Sequence, residues 1–336
     1  MEQTALKVLF LIQGHTVAAS RYRVLQYIPY LKAKGIEPAV SLYPRTLKEN
    51  LRFFSALPQY DIVFLQRKRF NQPRLGWLKK RAKRIVYDFD DAVMYRNSKA
   101  ADSSSRTRKR RFIQMIRASD FVIAGNEFLK GEVLPFNPNV DVIPSAIDQE
   151  RYPLKDYRVA KERVTIGWIG DHGSIHYLER MKPIFDRIGK KHPMAELKIV
   201  CDTFFDCDHL PVVKKLWTAE EEVRDLQGFD IGVMPLVEDP WSWGKCGLKI
   251  IQYQGVGLPV VCTPVGINKD LVENEVNGLW ARTPEEWEGK LSFLIEHPDL
   301  REKMGREGRK RVLERFTIQA CALRLYAILD DLMNKK

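Results

Sequence analysis

The sequence predicts an α/β protein made of two parallel-sheet halves in tandem. Three observations carry that prediction. Short apolar runs of strand length alternate with amphipathic runs of helix length. The alternation pauses over a polar stretch, Pro144–Lys161 (PSAIDQERYPLKDYRVAK), and then restarts. The length, 336 residues, is too great for one ordinary core. Strands alternating with helices at this spacing form parallel sheets covered on both faces.

In the first half the expected strands are Lys7–Ile12, Glu37–Leu42, Tyr60–Gln66, Arg84–Tyr87, Phe121–Ala124 and Val140–Ile143. An amphipathic helix is predicted over Arg21–Lys34, closed by Gly35. A basic helix is expected near Leu75–Lys83, another over Arg108–Ala118, and a short one from Asn126. In the second half strands are expected at Val164–Ile169, Glu196–Cys201, Asp230–Pro235 and Leu258–Cys262. Helices are expected over Ile175–Gly189, Glu220–Leu226, Leu248–Tyr253 and Ile318–Met333. Thr283-Pro284-Glu285-Glu286 starts one more: Thr as N-cap, Pro in the first turn, Glu three residues on.

Composition narrows the class. Hydrophobic residues at 45% and charged residues at 29% describe a water-soluble globular chain. No apolar run is long enough to span a bilayer. The chain enters a strand at Val8 with no cleavable signal pattern, and its five cysteines form no CxxC pair. A cytoplasmic protein with reduced thiols is expected. Cys207, Asp208 and His209 lack a second ligand pair, so no metal is expected.

The net charge of +12 lies wholly in the first half. Residues 1–150 hold 26 Lys/Arg against 14 Asp/Glu, whereas residues 151–336 hold 29 of each. Two blocks, Arg67–Arg84 and Arg106–Arg117, contain no acid. Such blocks suit an anionic membrane surface, although a solvated face gives the same pattern. No nucleic-acid partner is expected, because the blocks lack interleaved aromatic platforms.

One stretch, Trp241–Gly266 (WSWGKCGLKIIQYQGVGLPVVCTPVG), concentrates the candidate chemistry. A glycine-bounded loop carrying Lys245 and Lys249 opens a helix. Unpaired N–H groups and the positive end of the helix dipole suit a ligand with two phosphates. A second cradle is Gly170-Asp171-His172-Gly173-Ser174, with Ser174 as the expected N-cap. After the fourth strand come Asp88, Asp90 and Asp91. They suit contact with an acceptor hydroxyl or general-base work, or else pairing with Arg21, Arg23 or Arg84. Arg21 and Arg23 follow the first strand's loop, where one can reach a phosphate. That loop lacks GxGxxG, which argues against a nicotinamide dinucleotide.

Taken in order, GWIG, DIGVMPL, W-x-x-GKCGLK, QY-x-x-G-x-G-x-PVV, PVG-x-N, NG, EEW and MG-x-x-GR resemble the C-terminal domain of family-four retaining glycosyltransferases. The GKCGLK run resembles the subgroup with a GKCGxK motif. The first half is similar more loosely, through Ser20-Arg21-Tyr22-Arg23, the Asp88–Asp91 run and the Ile143-Pro144…Asp148 segment. The resemblance implies the GT-B fold, two Rossmann-like domains facing across a cleft. Residues 1–150 would be the acceptor side and 151–316 the nucleotide-sugar side, with 317–336 a helix packing back on the first. The family carries two glutamates separated by seven residues; Gly244 and Gln252 stand at those positions.

The implied activity is transfer, with retention of configuration, from a nucleotide-diphosphate sugar to a glycan or lipid-linked acceptor, without a cofactor. That would be a hexosyltransferase-type step in polysaccharide biosynthesis, peripheral at the inner face of the membrane. Lys245, Lys249, Asp90 and Asp91 are the expected catalytic residues. Gly170–Ser174, Gln252 and Gly266 would hold the donor, and Ser20, Arg21, Arg23 and Asp88 the acceptor. Two alternatives keep the fold: a nucleotide-sugar binding protein without turnover, motivated by Gly244, and a nucleotide-sugar epimerase.

Overall fold

The structure is a computed structural model that describes residues 5–159 and 161–334. It divides into two compact units. Unit 1 contains the chain up to Ala146, then Asp239–Cys246, then the chain from Ile318; unit 2 contains Ile147–Glu238 and Gly247–Thr317.

Unit 1 begins β1 (Leu6–Ile12), α1 (Ala18–Arg23), α2 (Ile28–Ala33), β2 (Ile36–Leu42), α3 (Leu47–Ala56), β3 (Ile62–Gln66) and α4 (Gln72–Arg81). It continues β4 (Ile85–Phe89), α5 (Arg106–Arg117), β5 (Phe121–Ala124), α6 (Glu127–Val133) and β6 (Val140–Val142). Later in the chain it gains α10 (Pro240–Trp243) and α15 (Ile318–Asn334). The strands form one parallel sheet in the order β2-β1-β3-β4-β5-β6.

Alternation along each strand sorts side chains to the two faces. Leu9 and Leu11 of β1 join Val63, Leu65, Tyr87 and Phe89 beneath α3, α4, α5 and α6. Val8, Phe10 and Ile12 join Ile62, Phe64, Val86 and Ile123 on the other face, covered by α2 and α15. The central strands β3 and β4 are buried end to end, as doubly covered parallel strands must be.

Unit 2 repeats the plan with β7 (Val164–Ile169), α7 (Ile175–Glu179), α8 (Lys182–Lys191), β8 (Ala195–Cys201), β9 (Val212–Leu216), α9 (Glu222–Gln227) and β10 (Ile231–Met234). Then follow α11 (Leu248–Gly255), β11 (Val260–Cys262), α12 (Asn268–Leu271), β12 (Gly278–Trp280), α13 (Pro284–Glu296) and α14 (Pro298–Arg315). Its sheet is parallel in the order β12-β11-β10-β7-β8-β9.

Two expected helices are broken, each at a proline. Arg21–Lys34 becomes α1, a 3-10 turn at Leu25–Tyr27 and α2, with Pro29 in the first turn of α2. Ile175–Gly189 becomes α7 and α8, with Pro183 in the first turn of α8. Proline has no N–H for the carbonyl one turn back, so each helix restarts there. Both edge strands of the second sheet, β9 and β12, escape the sequence pattern. β9 (VVKKL) is largely exposed, and β12 has three residues.

The MG-x-x-GR run has a packing role. A Cβ on Gly305 would lie 1.9 Å from the carbonyl oxygen of Gly257, and one on Gly308 would lie 2.8 Å from Gln254 Cγ. The two glycines let α14 approach α11 closely, and Arg309 donates to the carbonyl oxygens of Gly255 and Tyr152, the latter at 2.6 Å. Gly305→Ala is expected to cost about 1–3 kcal/mol through overpacking. A urea midpoint equal to that of the parent chain, at the same slope, would remove this role for Gly305.

Candidate active site

Asp88–Asp91, Gly170–Ser174 and Gly266 fall at or after the carboxyl ends of β4, β7 and β11, where open α/β sheets bind ligands.

In unit 1, β4 delivers Asp88, then Asp90 and Asp91. Asp88 is 1% exposed and accepts two hydrogen bonds from Arg23, itself 3% exposed. A third donor of Arg23 reaches the Ile143 carbonyl. Burial alone would lower the Arg23 pKa, but the Asp88 charge overrides it and holds the guanidinium protonated. Ser20 is also fully buried; its hydroxyl donates to Gln66 Oε1 at 2.8 Å, and Gln66 donates on to the Ala19 carbonyl at 2.6 Å. Ser20, Arg23 and Asp88, expected as substrate contacts, are therefore spent on bonds within unit 1 and present almost no surface. Arg21 remains partly exposed, its guanidinium 5.1 Å from the Tyr22 ring centre.

Asp90 and Asp91 lie nearer the surface, and Arg67 serves both. Its Nε is 3.3 Å from Asp90 in ion-pair rather than hydrogen-bond geometry, and an Nη donates to Asp91. Arg67 adopts φ +56°, uncommon for a side chain of this size, so its placement is held by the surrounding structure. The other oxygen of Asp91 accepts from Lys245 Nζ at 2.9 Å.

Lys245 reaches Asp91 because unit 1 holds the whole segment Asp239–Cys246. Asp239 caps α10 through the Ser242 N–H at 2.7 Å. Asn126 caps α6 through the Leu129 N–H, and its amide donates to the carbonyls of Trp243 (3.1 Å) and Lys245 (2.9 Å). Cys246 Sγ donates to the Asp90 carbonyl at 3.1 Å. Gly125 makes room for it, since a Cβ there would lie 2.2 Å from that sulfur. Gly244 is equally constrained: a Cβ would lie 2.5 Å from Ala92 Cβ and 2.7 Å from Ala92 N. A glutamate, the residue of the resembled family, does not fit there without backbone movement.

The two lysines of GKCGLK thus belong to different units. They are not two residues of one helix start. Lys249 lies in the first turn of α11, which begins after Gly247 at φ +66° with no side-chain cap. Its ammonium sits over the buried Trp168 ring, 5.3 Å from the centre. Gly170 frees that ring, since a Cβ on it would lie 2.2 Å from Trp168.

The Gly170–Ser174 loop is pinned by Asp202, just past β8. His172 gives its backbone N–H to Asp202 Oδ1 at 2.7 Å, and its Nδ1 lies 2.6 Å from Oδ2. The His172 hydrogen bond holds the Asp202 carboxyl below its ordinary range. Ser174 departs from expectation. Its hydroxyl donates back to Asp171 Oδ1 at 3.0 Å, and it makes no side-chain cap on α7. Gln252 is buried and donates to the Tyr152 hydroxyl at 3.0 Å. Tyr152 donates to Glu222 at 3.1 Å, and the half-buried Trp217 indole donates to the other Glu222 oxygen at 3.0 Å. The sequence offers Glu220, Glu222 and Trp217 either as a border of the nucleotide or as surface helix residues; Glu222 is buried at the hub of this network. Gly266 follows β11 at φ +53°. Among the described residues no three His, Cys, Asp or Glu converge as metal ligands.

Comparison with known proteins adds to this geometry. The family model described as glycosyl transferase-like matches residues 186–327. No curated protein is matched by the sequence. Solved structures match over nearly the whole chain. HepE from Anabaena, crystallised with UDP and glucose, aligns with TM-score 0.73 at 15% identity, over 97% of this chain and 99% of that one. The fold is GT-B. Sucrose-phosphate synthase from Thermosynechococcus elongatus gives 0.73 at 15% identity, over 98% and 100%. A glycosyltransferase from Rickettsia africae gives 0.73 at 14%, over 99% and 100%. Within this GT-B chain the family match falls mainly on unit 2, which carries Lys249, Gln252 and Gly266.

Asn126→Ala removes a helix cap and two bonds to the 239–246 segment. The expected cost is about 1–3 kcal/mol. Amide hydrogen exchange should quicken in residues 239–246 more than in β3 or β4. Equal protection in the variant and the parent would mean that Asn126 does not hold the segment.

Proposed function

We propose that this chain is a retaining glycosyltransferase that moves a sugar from a nucleotide-diphosphate sugar to a glycan or lipid-linked acceptor. The observation that carries the proposal is the glycosyl transferase-like match over residues 186–327, which spans the helix start bearing Lys249. The UDP and glucose bound by HepE, a protein of the same fold, support a uridine nucleotide as the first donor to test. A lipid-linked acceptor would be met at the inner face of a membrane.

In this reading the donor lies on unit 2. The start of α11, which has no side-chain cap, and the Lys249 ammonium receive the diphosphate, with Trp168 fixing the lysine. Negative charge grows on the diphosphate as the glycosidic bond breaks, so these groups act more on the transition state than on bound donor. The Gly170–Ser174 loop and Gly266 border the donor. Gln252, tied through Tyr152 to Glu222 and Trp217, orients the nucleoside side. On unit 1, Asp90 and Asp91 face the acceptor. Arg67 and Lys245 neutralise them, and Lys245 acts by positioning Asp91. Arg21, partly exposed, meets an acceptor phosphate. Ser20, Arg23 and Asp88 act from below by holding these loops.

The direct test is product analysis by mass spectrometry with a panel of UDP sugars, with and without acceptor. Sugar transfer supports the proposal. A changed sugar without acceptor would indicate an epimerase, and a melting-temperature rise without any product a binding protein. Among variants matched in melting temperature, Lys249→Ala is expected to lower kcat roughly 100-fold or more, comparable to losing one oxyanion donor. Gln252→Ala is expected to raise KM at nearly constant kcat. A folded Lys249→Ala enzyme with the parent kcat would rule out the diphosphate contact.

A further inference from the structure

The charge of this chain is concentrated on three neighbouring helices. α3, α4 and α5 cover one face of the unit 1 sheet and send Phe53, Phe54, Leu75, Leu78, Phe112 and Met115 into the same core. A groove of about 280 Å³ joins α4 to α5 along Leu75, Lys79 and Gln114. Together the three helices carry twelve Lys/Arg and one acid, so eleven of the chain's surplus of twelve positive charges lie here. The acid, Glu49, is already engaged in the α3 capping box. Eleven of the twelve cations are exposed, Arg74 being the exception, and among the described residues none forms an ion pair.

The arrangement is electrostatically unfavourable by itself. Arg106, Arg108, Lys109, Arg110 and Arg111 crowd the first six positions of α5, at the positive end of its dipole, with no acid in the first turn. The repulsion is felt below: Lys68 is lowered by burial and by Arg74 and Arg45, and Arg69 by burial and by Arg108 and Arg111.

The same surface exposes apolar groups. Leu47 and Leu51, one turn apart on α3, are 78% and 50% exposed, and Trp77 on α4 is 50% exposed. Trp77 stands edge-to-face on Phe54 at 5.5 Å, which fixes its ring at the surface. Cations around exposed Leu and Trp match the boundary between headgroups and acyl chains.

We propose that the outer faces of α3, α4 and α5 form a docking surface for an anionic lipid bilayer. The surface differs from the Arg67–Arg84 block read in the sequence, because Arg67 is spent on Asp90 and Asp91, Arg69 on the Val93 carbonyl and Lys83 on Asp61. A bilayer suits it better than a nucleic acid does. Leu47 and Leu51 have nothing to bind on a polyphosphate, and the single Trp offers no run of stacking faces. The inference deepens the reading above by naming where the protein meets a membrane, and its evidence is independent of the transfer reaction.

Flotation of the full chain with phosphatidylcholine vesicles, with and without phosphatidylglycerol, tests it. Binding is expected only with phosphatidylglycerol and should fall as salt rises. Replacing Arg108, Lys109 and Arg110 together by Gln should weaken it roughly 100-fold, at roughly fivefold per cation near such a surface. Leu47→Ser with Leu51→Ser should reduce the binding that survives high salt; both side chains are exposed, so this variant is expected to fold. Equal binding to uncharged vesicles, or no loss in the Gln variant, would overturn the proposal. So would binding to duplex DNA without binding to vesicles. Because flotation reads binding alone, a chain that floats but transfers no sugar would keep the surface and lose the enzyme.

Discussion

Three carboxylates within four residues at the end of β4 govern the architecture of unit 1. Like charges this close cannot stay ionised in a mostly buried site unless cations meet them. The chain brings those cations from three distant places. Arg23 comes from α1, Arg67 from the turn after β3, and Lys245 from a segment some 150 residues further on, which closes on Asp91 at 2.9 Å. The Arg23–Asp88 pair is wholly buried. Breaking either side would leave an uncompensated interior charge, a far larger cost than any exposed pair carries. The loops that end β1, β3 and β4 are therefore locked together before any ligand arrives.

Much of the fold was legible because the relevant signals are local. Buried parallel strands read as unbroken apolar runs, and β5 and β7 were bounded correctly from the sequence. The Thr283 capping box is present with both of its bonds. The helix breaks at Pro29 and Pro183 were equally local signals that amphipathic periodicity masked. The edge strands β9 and β12 were not legible. A strand with one neighbour needs little apolar surface, and VVKKL carries no alternation that separates it from a loop.

The site was less legible than the fold. That Asp88 pairs with Arg23 was one reading of the sequence, but nothing local says that both are buried. GKCGLK reads as one loop at a helix start, yet the chain passes from one unit to the other between Cys246 and Gly247. Only tertiary structure shows that Lys245 serves a carboxylate in unit 1 whereas Lys249 rests on Trp168 in unit 2. Gly244 looked like a lost functional group. Its contact with the Ala92 backbone shows instead a position where no side chain fits.

The order in which the chain contributes to unit 1 bears on how it is made. One face of the first sheet, Val8, Phe10 and Ile12 with Phe64 and Val86, is covered by Cys321, Ala322, Leu325 and Leu329 of α15. Those residues leave the ribosome after every strand of both sheets. The nascent N-terminal half must therefore wait with this apolar sheet face only partly covered, by α2, while unit 2, whose pieces lie between Ile147 and Thr317, can close on itself first. The unit begun earlier is the unit completed later, and a chain released before α15 emerges would carry a half-covered, sticky sheet.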